Sequence, residues 1–81
     1  MATILHLDQT ITRDVTLTFE EIQRAVGGYV TLVRIPDDPT RQLAVNEEGD
    51  MLQLAYNEKA SQMVGQTIVG TAVVVDNGEV G

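Results

Sequence analysis

The segment Thr67-Ile68-Val69-Gly70-Thr71-Ala72-Val73-Val74-Val75 is apolar at almost every position and shows no alternation between two faces. A half-exposed strand would alternate with period two, so this run predicts a strand flanked by neighbours and covered on both sides. The rest of the chain must supply those layers from only 81 residues. A domain of that size buries only about 60 to 65% of its unfolded surface. A 43% hydrophobic content suits a folded core, and the chain has no cysteine, so packing alone must hold it. Self-association would add to such a small core, and a homo-oligomer is expected. No repeat, low-complexity run or linker divides the chain, which predicts one domain over residues 1–81.

Shorter strands and two helices surround that run. Ile4, Leu5 and Leu7 suggest a first strand, Asp8-Gln9-Thr10 a turn, and the Ile11, Arg13, Val15, Leu17 alternation a second strand paired with the first. Thr18 with Glu21 three residues later is a capping box, and Gly27 supplies a left-handed end, so a helix is expected over residues 18–26. Its inward stripe is Phe19, Ile22 and Val26, with Glu20 and Arg24 paired on the outside. Tyr29 to Ile35 reads as a strand that Pro36 stops. Arg41–Asn46 and Met51–Tyr56 read as a hairpin around Glu47-Glu48-Gly49-Asp50, with Val45 facing Leu52 and Leu43 facing Leu54. Asn57 caps a second, short helix that carries Ala60, Met63 and Val64 inward and ends at Gly65. A turn signal at Asp76-Asn77-Gly78 leaves too little chain for another element, so the end is expected to fray over about residues 76–81. The sum is an α+β fold: a small, mostly antiparallel sheet of about five to six strands with one main helix and a second short one.

Charge narrows the partners. Five Lys and Arg stand against 12 Asp and Glu, a net charge of −7, which repels a phosphate backbone over most of the surface. Direct nucleic-acid binding is not expected. No stretch approaches the roughly 20 apolar residues of a membrane span, and the first residues lack the basic start and apolar run of a signal peptide, so no membrane contact and a cytoplasmic location are expected.

Catalytic chemistry lacks parts. His6 is the one histidine, there is no cysteine, and no serine sits in a strand-to-helix nucleophile turn. Glu47, Glu48 and Asp50 lack the alternating ligand order of a calcium loop, and Gly27-Gly28 follows a helix where a phosphate-binding loop would precede one. No enzyme activity, cofactor or metal is predicted. The basic residues are more informative. Arg34 shares a strand face with Val30 and Leu32, an expensive place for a charge unless that strand end opens to solvent or a ligand. In the hairpin register Arg41 sits opposite Tyr56 and beside Asn57, so arginine, tyrosine and asparagine would form one rim able to clamp a phosphate, stack on a base and read polar edges. Tyr29 and Asn46 join Arg34 as secondary candidates for the same ligand.

Val26-Gly27-Gly28-Tyr29-Val30, then Val45-Asn46-Glu47-Glu48-Gly49, Asn57 and Ile68-Val69-Gly70-Thr71, in that order and spacing, resemble a small family found mostly in phages and mobile elements, domain of unknown function 3846. The likeness covers roughly residues 15 to 75. It implies a phage-type accessory protein, in a host cytoplasm if phage-encoded, that works by stoichiometric binding. The leading expectation is a homo-oligomeric sponge that sequesters a small nucleotide-derived signal of host immunity. The alternative is an inhibitor whose Glu47, Glu48, Asp50, Asp37 and Asp38 occupy a basic site on a host defence or nucleic-acid-handling enzyme.

Overall fold

A computed structural model describes residues 1–76 of the chain. Strand β1 (Ala2–Leu5) turns back through an Asp8 carboxylate that accepts from the Thr10 amide at 2.9 Å, and strand β2 (Ile11–Val15) pairs with it antiparallel. The register slips between Ala2 and Ile4, and Asp14 takes a positive φ of 56°, so this ladder carries a bulge. Helix α1 (Phe19–Val26) starts on the predicted capping box: the Thr18 hydroxyl accepts from the Glu21 amide at 3.1 Å, and the Thr18 amide donates to Oε1 of Glu21 at 2.9 Å. Gly27 ends it at φ 86°, the left-handed region that an L side chain resists.

Strand β3 (Val30–Arg34) turns through residues 35–40 and pairs antiparallel with strand β4 (Arg41–Asn46), from Val30 opposite Asn46 to Arg34 opposite Gln42. Helix α2 (Glu58–Val64) follows on an Asn57 cap and closes at Gly65. Strand β5 (Ala72–Asp76) then slots between β4 and β1, giving a five-stranded sheet of order β2-β1-β5-β4-β3 in which every pairing is antiparallel. The fold is α+β, with the apolar C-terminal run as the middle strand.

Cover on both faces explains that run. Val73 and Val75 point to one side, where Ala2, Ile22, Val26 and Ala44 form a cluster under α1. Ala72 and Val74 point to the other, where Leu5, Ile35, Leu43, Val45, Ala60, Val64 and Ile68 form a second cluster under α2. Two half-cores thus share one strand, and period-two alternation assigns each residue of β5 to one of them.

Several expectations are corrected. The hairpin of Arg41–Asn46 with Met51–Tyr56 does not form, because β4 has both edges occupied, by β3 and by β5. Residues 47–54 instead stay in turns, with the Leu52 amide bonded to the Glu48 carbonyl at 2.9 Å and the Leu54 amide to the Gly49 carbonyl at 3.1 Å. Leu52 therefore does not face Val45; it is exposed. The final strand begins at Ala72, not Thr67, because Gly70 sits at φ 83° and turns the chain. Phe19 lies outside the core, about half exposed, since Val15 and Leu17 pack against that end of the α1 cluster. Glu20 and Arg24 form no ion pair among the described residues; Arg24 acts on the carboxyl of Glu21, as the third and weakest cause lowering it after the backbone and side chain of Thr18. Asp76 closes β5, and the rest of the expected frayed end, 77–81, lies outside the described residues.

Candidate functional site

The predicted Arg41, Tyr56, Asn57 rim is not assembled. It depended on the hairpin register, and the sheet instead sets Arg41 opposite Asp76. The Arg41 guanidinium donates from Nε to Oδ2 of Asp38 at 2.6 Å. The Thr40 hydroxyl and then Arg41 hold the Asp38 carboxyl below its ordinary range, so this corner is a self-satisfied ion pair that closes the β3–β4 turn. Tyr56 is exposed, bridged through its backbone to Val69, and borders a shallow hollow of about 240 Å³ with Gln62, Gly65 and Thr67.

Asn57 and Asn46 are buried and fully used. The Asn57 amide group donates to the Leu5 carbonyl at 3.0 Å and the Gly70 carbonyl at 2.9 Å, while its Oδ1 accepts from the Ala60 amide at 3.1 Å to cap α2. Asn46 donates to the Val26 carbonyl at 3.0 Å, and its Oδ1 accepts from the Glu48 amide at 2.8 Å. With every polar atom of these two side chains bonded within the protein, neither is available to a ligand without breaking a buried hydrogen bond.

These bonds also tie together the motifs on which the family likeness rests. The Glu47 amide donates to the Tyr29 carbonyl at 2.8 Å, and Asn46 reaches the end of α1, so the 26–30 and 45–49 segments form one joint. A Cβ on Gly49 would stand 2.8 Å from Cγ2 of Val69, and one on Gly70 would stand 2.8 Å from Cδ1 of Leu54. The close approach of the Val69 and Leu54 side chains, with the positive φ of Gly70, favours glycine at both positions.

Arg34 and Tyr29 occupy opposite ends of the edge strand. Both are exposed, and β3 separates them by about 16 Å at strand rise, too far for one small ligand. Tyr29 is the better placed. Glu20, Gln23, Arg24 and Gly27 recur at helical spacing along the outer face of α1, and with Gly28 and Tyr29 they line an open groove of about 600 Å³. Tyr29 is 68% exposed. The Gly27 and Gly28 amides both bond the Gln23 carbonyl, so the groove offers no free amide nest and its positive charge is the Arg24 guanidinium. The sequence places Arg24 in a pair with Glu20 and gives Gln23 no role; the signal for this groove is the i, i+3, i+4, i+7 polar face leading into an aromatic residue.

His6 shares a 2.8 Å hydrogen bond between Nε2 and the Thr12 hydroxyl. Among the described residues no three His, Asp or Glu gather as a metal site would require, and no helix is long and apolar enough to cross a membrane. Asp37 and Asp38 lie at one end of β4 and Glu47, Glu48 and Asp50 past the other, about 17 Å apart at strand rise.

The family model described as domain of unknown function (DUF3846) matches residues 2–81, and the chain belongs to that family. No curated protein and no solved structure matches the chain.

Proposed function

We propose that this chain is a non-catalytic binding protein that sequesters a small nucleotide-derived ligand in the groove between α1 and Tyr29. The observation that carries the reading is a tyrosine left 68% exposed beside an arginine and a glutamine, lining a groove of about 600 Å³. A base stacks on the tyrosine face, the Arg24 guanidinium takes a phosphate, and Gln23 and Glu20 answer the base edge and ribose hydroxyls. A single cation with a carboxylate nearby suits a ligand of few phosphates. In a phage or mobile-element setting, such a ligand is a nucleotide messenger of host immunity, and holding it stoichiometrically requires no chemistry.

The groove favours this over the acidic-inhibitor reading, because the five carboxylates that would contact a basic enzyme site are divided between the two ends of β4. Isothermal titration against cyclic dinucleotides and cyclic ADP-ribose isomers tests it. One member of the panel should bind saturably, and Y29A should weaken it by about 5- to 150-fold, the loss expected for one stacked base. Absence of heat with every member, or Y29A binding as tightly as the natural chain, overturns the reading.

A further inference from the structure

The two outer edges of the sheet differ. On β2 the ladder is bulged, Asp14 takes a positive φ, and Arg13 and Asp14 are exposed, all devices that discourage another strand from adding. On β3 the five residues pair with β4 in unbroken register, with no proline or bulge. Leu32, midway along, is 39% exposed.

The direction of the unpaired groups on β3 follows from one bond. Because the Glu47 amide donates to the Tyr29 carbonyl, Tyr29, and by alternation Thr31 and Val33, turn their backbone groups toward β4. Val30, Leu32 and Arg34 therefore turn theirs outward, and no backbone partner takes them among the described residues. We infer that this edge is a homodimer contact, in which β3 pairs antiparallel with β3 of a second copy about a two-fold axis at Leu32. That register sets Leu32 opposite Leu32, and Val30 opposite Arg34, so every outward-facing residue of one copy meets an outward-facing residue of the other. Any register displaced by one residue would leave these groups unmatched.

Charge agrees with a second copy as the occupant. Tyr29 to Ile35 contains no acidic residue, so the net charge of −7 is carried away from the contact. The one cation, Arg34, faces Val30 and lies about 14 Å along the strand from its symmetry mate, beyond the Debye length of about 8 Å at physiological salt. The result is a continuous ten-stranded sheet, closed by symmetry, with a bulged β2 guarding each new edge. This inference is independent of the ligand proposed for the Tyr29 groove.

Light scattering on a sizing column, at chain concentrations on the order of 100 µM, should return twice the monomer mass. L32K and L32E place like charges directly opposite each other at the axis, and each should run as a monomer with an unchanged circular dichroism spectrum. Mixing L32K with L32E restores opposite charges across the axis and should restore the dimer. A monomeric natural chain, a dimer indifferent to both substitutions, or a mixture that stays monomeric would each overturn the inference. Should either variant fail to fold, L32P is the substitute: its missing amide is an outward-facing one, so the β3–β4 ladder is kept while the dimer bonds are lost.

Discussion

Asn57 ties three segments together, since one side chain caps α2 and donates to two carbonyls elsewhere in the chain, at Leu5 and Gly70. Removing it leaves both acceptors and the Ala60 amide unpaired in the interior. N57A should cost about 3 kcal/mol in urea unfolding, from a lost cap worth about 1 kcal/mol and buried groups at about 1 kcal/mol or more each. N57D keeps the capping oxygen and loses the donor, so a carboxylate oxygen faces two carbonyl oxygens; it should be at least as damaging at neutral pH and recover in part as acid protonates it. A ligand role would predict the reverse, a well-folded N57A protein that had merely lost binding. Sequence reasoning placed Asn57 correctly as a helix cap. Its second role could not be read there, because the Leu5 carbonyl is 52 residues away in the chain.

At the scale of elements, legibility followed locality. Both helices announced themselves through caps that lie within three residues of one another, Thr18 with Glu21 and Asn57 with Ala60. The β1–β2 and β3–β4 pairings join neighbouring segments through short turns. What failed was the choice between a local and a distant partner for β4: Met51–Tyr56 offered a plausible alternation nearby, but β4 pairs with β5, with Leu43 opposite Val74, 31 residues on. The Arg41, Tyr56, Asn57 rim fails with that choice, whereas the exposed position of Tyr29 beside the end of α1 depends on no such pairing. The capping box of α1 also carries a measurable proton linkage. The Thr18 amide and side chain hold the Glu21 carboxyl below its ordinary range, and hydrogen bonds from Thr10 and Thr40 do the same for Asp8 and Asp38. A depressed carboxyl contributes stability that is fully present above its unfolded pKa and disappears as pH falls through its folded one, so stability should decline below about pH 4. E21Q retains an acceptor for the Thr18 amide but has no proton to take up. Its unfolding midpoint should therefore fall less steeply than that of the natural chain between about pH 5 and 3, as urea titrations at each pH would register; parallel slopes would remove Glu21 from the acid limb.

For the whole molecule, the sheet is the core and, in the proposed dimer, also the surface through which the chain would meet its own copy. Two clusters lie on opposite faces of β5, and a strand pair across β3 would extend the sheet they share. Against that gain stands the repulsion of two chains of net charge −7. The contact strand itself is free of acidic residues, so this repulsion acts at long range, from carboxylates distributed over the rest of each protomer. Long-range repulsion is what salt removes first, as the Debye length shortens from about 30 Å at 0.01 M to about 8 Å at 0.15 M. Backbone hydrogen bonds and the Leu32 contact at the axis are nearly indifferent to the same change. The dimer should therefore tighten as salt rises from about 0.01 to 0.15 M, seen by sedimentation as a dissociation constant that falls several-fold, with little further change beyond. An assembly held by Arg34 and acidic partners would do the opposite and loosen with salt, so the sign of this dependence separates edge pairing from ion pairing in a single titration.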